Sequence, residues 1–200
     1  MTDPRYTHIS VLVDRSGSMS SIRDDAEGGL RTFLSDQRAQ PGLLTTSVFQ
    51  FDTEYDEVAR MVSGDPLTGW RLEPRGMTAL LDSLGRAILA TGRDLAELPE
   101  HARPGKVFFV VVTDGMENSS VEWTRDRVLE EVRRQSEAYG WTFVYIAANQ
   151  DAIAEGGALG FDHAANFEAT GDGVRASYGA LSASLSVARG GGSFDIPAQM

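Results

Sequence analysis

Apolar positions in this chain fall into two rhythms, unbroken runs and helical three- or four-residue steps, which alternate along most of its length. Ile9, Val11, Leu12 and Val13 make the first run, which predicts a strand buried on both faces. From Ser20 to Ala39 the rhythm changes. Ile22, Ala26, Leu30, Phe33 and Leu34 define one face of an amphipathic helix, stopped by Pro41-Gly42. Leu43 to Phe51 predicts a second strand, and Asp52 to Met61 turns into a more polar one suited to a sheet edge. Residues 62–76, with Gly64, Pro66, Gly69, Pro74 and Gly76, predict a loop tethered by Trp70 and Leu72.

Met77-Thr78 leads into a helix with Leu80, Leu81, Leu84, Ala87 and Ile88 along its inner stripe. Residues 98–105 read as a surface connection. Lys106 to Thr113 is the strongest strand pattern, and it ends at Asp114-Gly115. Ser119 with Glu122 predicts a capping box for the helix carrying Val128, Leu129 and Val132. A strand over Trp141–Ala148, a glycine-weakened helix over Ile153–Leu159 and a brief extended piece at His163–Phe167 follow. The last helix runs from Thr170 through Val174, Tyr178, Leu181 and Leu185 to Gly190-Gly191-Gly192.

This alternation predicts an α/β fold: a doubly wound, mostly parallel sheet, helices on both faces, and one antiparallel edge strand. One domain over 1–189 and a mobile tail over 190–200 are expected. The strands ending at Asp14 and Asp114 are the most apolar, which predicts that they are central neighbours. In such sheets ligands lie beyond the carboxyl ends of the strands, near the reversal of strand order.

The candidate chemistry sits at those ends. Asp14, Ser16, Ser18, Thr78 and Asp114 would converge there, with Gly17 and Gly76 allowing the loops to bend. Two carboxylates and three hydroxyls offer hard oxygen donors alone, a set suited to Mg²⁺, with Mn²⁺ or Ca²⁺ as alternatives. Water would fill the remaining positions, and a partner's carboxylate could replace one. Turn and capping chemistry is the bland reading of the same residues, and Ser18 could serve both purposes by capping the first helix.

Composition narrows the picture. A net charge of -11 argues against a nucleic-acid surface, and the absence of cysteine excludes disulfides and thiolate sites. No apolar run reaches the roughly 20 residues of a membrane span. Met1 to Tyr6 lacks the apolar core of a signal peptide, so a soluble, cytoplasmic protein is expected. No phosphate loop or nucleophile elbow is present. His8, His101 and His163 are scattered, and Gly156 to Gly160 reads as a helix ending. Asp52 reads as a strand-end turn residue. Glu117 and Asn118 read as a solvated helix entry. Arg15 either meets a partner or pairs locally. Phe194, Asp195 and Ile196 read as part of a disordered end.

Asp14-Arg15-Ser16-Gly17-Ser18, Thr78 after Gly76, and Asp114 in Thr113-Asp114-Gly115 together resemble the von Willebrand factor A (VWA) family, over roughly Tyr6 to Arg189. The resemblance implies a Rossmann-like VWA fold and a metal-ion-dependent adhesion site (MIDAS) that binds an acidic residue of a protein partner. It also implies that the serines and threonine coordinate the metal while the acids often act through water. The acidic, cysteine-free chain looks more like bacterial cytoplasmic relatives than secreted members. Two alternatives stand beside this non-enzymatic reading. One is a Mg²⁺-dependent phosphohydrolase using Asp14, weakened because Ser16 stands where a second acid is expected and Lys106 lies at the wrong strand end. The other is a structural homo-oligomer whose site is filled by a neighbouring copy.

Overall fold

The computed structural model describes residues 1–148 and 151–199. Its elements are β1 (Asp3–Asp14), α1 (Arg23–Ala39), β2 (Leu43–Phe51), β3 (Tyr55–Val62), α2 (Leu80–Glu97), β4 (Pro104–Thr113), α3 (Arg125–Tyr139), β5 (Thr142–Ala148), α4 (Ala152–Ala158), β6 (His163–Phe167) and α5 (Gly171–Arg189). The strands form one sheet in the order β3-β2-β1-β4-β5-β6, parallel except for β3 at the edge. Strand order therefore reverses between β1 and β4, the two apolar runs expected to be neighbours.

Each central strand is apolar on both faces because each face meets helices. Ile9, Val11, Val13, Phe108, Val110 and Val112 pack with the inner stripes of α1 and α5. Leu12, Phe109 and Val111 pack with those of α2 and α3. One polar strip interrupts this second core. Tyr6 Oη and His8 Nδ1 both meet Thr45 Oγ1, at 2.7 and 2.8 Å, while His8 Nε2 meets Ser10 Oγ at 3.0 Å, which in turn lies 2.8 Å from Thr91 Oγ1. Every member has a partner, as buried polar groups require. Burial holds the His8 imidazole down at about 4, so it stays neutral and structural at physiological pH.

Several element bounds differ from the sequence expectation. β1 starts at Asp3 because Tyr6 and Thr7 already pair with β2, opposite Leu43 and Leu44. The first helix is split: a 3₁₀ turn over Gly17–Ser21 precedes α1, and no side chain caps either segment. Ser18 is therefore not a helix cap. The Ser119–Glu122 capping box also fails to form. Thr124 caps α3 instead, accepting from the Arg127 amide at 3.3 Å. The reason lies on α2, where the Asp82 carboxylate accepts from the amides of Val121, Glu122 and Trp123 at 2.9, 2.9 and 2.7 Å. Those amides are pinned to a neighbouring helix rather than starting their own.

The end of the chain follows another course than the expected tail. Ile196 is buried, the Phe194 ring lies 5.6 Å from that of Phe108 and 4.7 Å from His163, and Asn166 donates its amide to Ala198 O at 2.9 Å. Residues 194–199 thus lie beside β6, driven by two apolar side chains and an open strand edge. Met200 falls outside the described residues. Among the described residues no helix is long and apolar enough to cross a membrane.

Trp123 is seated on Gly85 of α2, where an added Cβ would come 2.1 Å from ring atoms. Overpacking costs roughly 1–3 kcal/mol, against about 1 kcal/mol of helix propensity gained by alanine over glycine. Urea denaturation of Gly85→Ala should show a net loss of about 2 kcal/mol, at the severe end of that range; an unchanged midpoint would contradict this packing.

Candidate metal centre

β1 ends at Asp14 and β4 at Thr113, side by side, and the loops leaving them carry most of the candidate donors. Asp14 turns the chain on itself. Its Oδ1 accepts from the Ser16 amide at 2.6 Å, an Asx turn. Its Oδ2 accepts from Thr113 Oγ1 at 2.5 Å, and that hydroxyl also receives the Gly115 amide at 3.1 Å. Ser16 Oγ lies 3.1 Å from Ser18 Oγ, which donates to Asp114 Oδ1 at 2.7 Å. The turn chemistry of the bland reading is present, and it gathers the same side chains.

Thr78 arrives from a loop sewn to both neighbours. The Gly17 amide donates to Gly76 O at 3.3 Å, the Arg75 amide to Arg15 O at 2.8 Å, and the Ala79 amide to Asp52 O at 2.9 Å. Gly76 holds a φ of +66°, where glycine is favoured. Asn118 then clamps Thr78 itself, Oδ1 accepting from the Thr78 amide at 2.9 Å and the Asn118 amide donating to Thr78 O at 3.1 Å.

Thr78, Ser18 and Asp14 meet in front of Gly115, and Ser16 and Asp114 join them through the Ser18 hydroxyl. A Cβ added there would stand 3.0 Å from Thr78 Oγ1, 3.5 Å from Ser18 Oγ and 3.6 Å from Asp14 Oδ2. Glycine leaves this small space open, ringed by oxygen. Asp14, Ser16, Thr78 and Asp114 are buried, whereas Ser18, Met77 and Met116 are exposed, so the space faces solvent on one side.

Burial makes the electrostatics of the two acids unfavourable. Burial pushes the Asp14 carboxyl up to about 6, with the nearby Asp114 adding to the effect and the Thr113 and Ser16 bonds opposing it. Burial raises Asp114 as well, against its Ser18 bond. No Lys or Arg pairs with Asp14 among the described residues. Among the described residues no group of three or more His, Cys, Asp or Glu side chains stands there; the other oxygens are hydroxyls.

Arg15, between the donors in sequence, pairs locally. It is buried, with Nε 2.7 Å from Asp52 Oδ2 and Nη1 2.6 Å from Asp56 Oδ2. Asp52 also meets Arg75 Nε at 2.8 Å and accepts the Glu54 amide at 2.6 Å. Burial alone would raise this carboxyl; the Glu54 amide and the two guanidiniums prevail and hold it low. Asp52 is thus a pin for the Arg15 and Arg75 loops as well as a turn residue. Glu117, expected to be solvated, accepts from the amides of Leu81, Ser119 and Ser120 at 2.9, 2.9 and 2.8 Å. Thr113 and Asp82 carry parts of the site that sequence reasoning missed, and Asn118, read as a solvated helix entry, clamps Thr78 instead. The Thr-Asp-Gly run around Thr113 was the one signal at hand.

No family model matches the sequence, and no curated protein matches it. Solved structures share its fold. It is similar to proximal thread matrix protein 1 from the mussel byssus, with 14% identity over 92% of this chain and 46% of that chain and a TM-score of 0.66. The vWF domain of the type V pili tip protein Mfa5 from Porphyromonas gingivalis gives 10%, 91%, 95% and 0.62. A von Willebrand factor type A structure from Catenulispora acidiphila gives 15%, 89%, 42% and 0.58. The likeness shows the fold, a VWA-like mixed sheet. The chain spans about half the length of the mussel chain. Another structure of that mussel protein has a zinc-occupied MIDAS motif.

The Asp14 environment sets a pH dependence. Its folded value, about 6, lies above the ordinary 3.8, so the folded state prefers the proton. Stability from this group is highest below about pH 4 and is lost as pH rises through about 6, in total roughly 3 kcal/mol. In EDTA, Asp14→Asn should therefore be more stable than wild type by about 1–3 kcal/mol at pH 7.5 and no more stable at pH 4. Equal denaturation midpoints at pH 7.5 would contradict the buried charge.

Proposed function

We propose that the chain is a metal-ion-dependent protein-binding module, in which Asp14, Ser16, Ser18, Thr78 and Asp114 hold Mg²⁺ for capture of an acidic residue on a protein partner. The observation that carries this reading is the oxygen-ringed space in front of Gly115. It fits a hard cation in donor type, since the atoms nearest to it, Thr78 Oγ1, Ser18 Oγ and Asp14 Oδ2, are hydroxyl and carboxylate oxygens. It fits in charge, since a buried Asp14 without a cation calls for one. A bound Mg²⁺ would supply an electrophilic position to which a carboxylate from outside could bind. Mn²⁺ and Ca²⁺ share the donor preference, and the zinc-occupied MIDAS of the mussel protein adds Zn²⁺ to the ions worth testing.

The chain's own residues serve this role by holding the rim still. Arg15, Asp52 and Arg75 fix the turn carrying Ser16 and Ser18, while Asn118 fixes Thr78. The VWA-like fold of its structural neighbours supports an interaction module over an enzyme. The phosphohydrolase alternative would need a lysine near Asp14. Lys106 instead donates Nζ to Ala188 O and Arg189 O, at 2.8 and 2.7 Å, near the opposite end of the sheet.

Titration calorimetry tests the reading. Wild type should bind Mg²⁺ or Mn²⁺ at one site, and Asp14→Ala should bind neither. Gly115→Ala should stay folded yet bind roughly 10–100-fold more weakly, because its methyl presses on the Thr78 hydroxyl. Equal binding by all three would remove the site. Below about pH 6 the ion must displace the Asp14 proton, so affinity should fall up to about tenfold per pH unit. Partner capture from host lysate should be released by EDTA and lost in Thr78→Ala; capture that ignores both would refute the metal-dependent role.

A further inference from the structure

At the opposite end of the sheet, where β4 begins, the last turns of α2 and α3 enclose a cavity of about 600 Å³. That volume lies within the range of small-molecule sites, about 300–1,000 Å³. Leu95, Val107 and Trp141 give it apolar walls. The indole of Trp141 is itself held by the Phe143 ring, 6.0 Å away and nearly parallel.

Two polar features stand in this apolar setting without partners. Gln135 is only 4% exposed, lines the cavity, and its side-chain amide makes no hydrogen bond among the described residues. Its Nε2 faces Gly92 across the space, 3.6 Å from where a Cβ on that glycine would stand. The Gln135 amide is thus open to a ligand's polar atom. Arg93, exposed at the cavity, makes no hydrogen bond or ion pair among the described residues.

The charge around the cavity selects the sign of the ligand. Helix carboxyl ends alone would repel an anion. Arg103 counters that of α2, donating to Ala96 O and Leu98 O, both at 2.9 Å. Arg134 is paired with Glu131, and Glu100 with the terminal amine, each at 2.6 Å. Arg103 meets carbonyls only and keeps its charge, and Arg93 is the lining guanidinium with no hydrogen bond or ion pair among the described residues.

We infer that this cavity binds a small organic anion with an apolar body, its body against Trp141, a polar atom on the Gln135 amide and its charge on Arg93. The site is separate from the metal centre and does not rest on the metal reading.

The probe is 8-anilinonaphthalene-1-sulfonate, an aromatic body with one fixed negative charge, beside N-phenyl-1-naphthylamine, which lacks the charge. Wild type should bind the sulfonate saturably at one site, with the Trp141 indole N–H resonance moving and those of Trp70 and Trp123 staying in place. Arg93→Glu should weaken binding at least tenfold. Gly92→Phe should abolish it by filling the space, while Gly92→Ala, which meets only ordinary contacts, checks that the helix tolerates a side chain there. Both blocking variants are read only after thermal unfolding shows them folded, and Gln135→Leu offers a third, expected to weaken binding without loss of stability. No saturable binding, binding unchanged in the folded variants, or equal affinity for the neutral amine would each overturn the proposal.

Discussion

A carboxylate buried at the end of the central strand, paired with no Lys or Arg among the described residues, is the constraint that the rest of this molecule accommodates. Asp14 is wholly buried, receives hydrogen bonds from Thr113 and Ser16, and has Asp114 nearby. Hydrogen bonds to a buried charge offset only part of its desolvation, which is why burial still dominates its proton affinity. A protein selected for stability alone would place an apolar or amide group there. Under the proposed reading, a cation bound at the rim of hydroxyls would offset that charge.

The scaffold must then hold several irregular loops in register around that acid. It does so with carboxylates that receive backbone amides in place of secondary structure. Asp52 anchors the β2–β3 turn and two arginines, Asp82 takes three amides before α3, and Glu117 takes one at the start of α2 and two in its own loop. Glu27 does the same for the long loop after β3, accepting the Leu72 amide at 3.0 Å and pairing with Arg71 at 2.6 Å. Each satisfies donors that a loop would otherwise leave unpaired.

How much of this was legible in the sequence follows from where each signal lies. The bounds of β2 and β6 and the adjacency of β1 and β4 follow from local apolar runs and their ends. The Asp14 turn, with Gly17 and the alternating serines, is also a local pattern, whereas Thr78 and Asp114 join it in the sequence only through the expected topology and the family resemblance. The pins were not. Asp82 and Trp123 lie 41 residues apart, and nothing in either neighbourhood announces their meeting. The same tertiary contact overrode the Ser119–Glu122 capping pattern, a local preference worth about 1 kcal/mol. Arg15 and Asp52 pair across 37 residues, and the sequence left Arg15 open between solvent and a local partner. Phe194 and Ile196 near the chain end carried too little periodicity to predict their seat beside β6.

The most direct test is a crystal grown with Mn²⁺ and measured for its anomalous scattering. The account predicts one strong peak in front of Gly115, with the hydroxyls of Ser16, Ser18 and Thr78 within about 2.0–2.5 Å of it. A fully occupied Mn²⁺ elsewhere on the chain, with no peak among those oxygens, would contradict it.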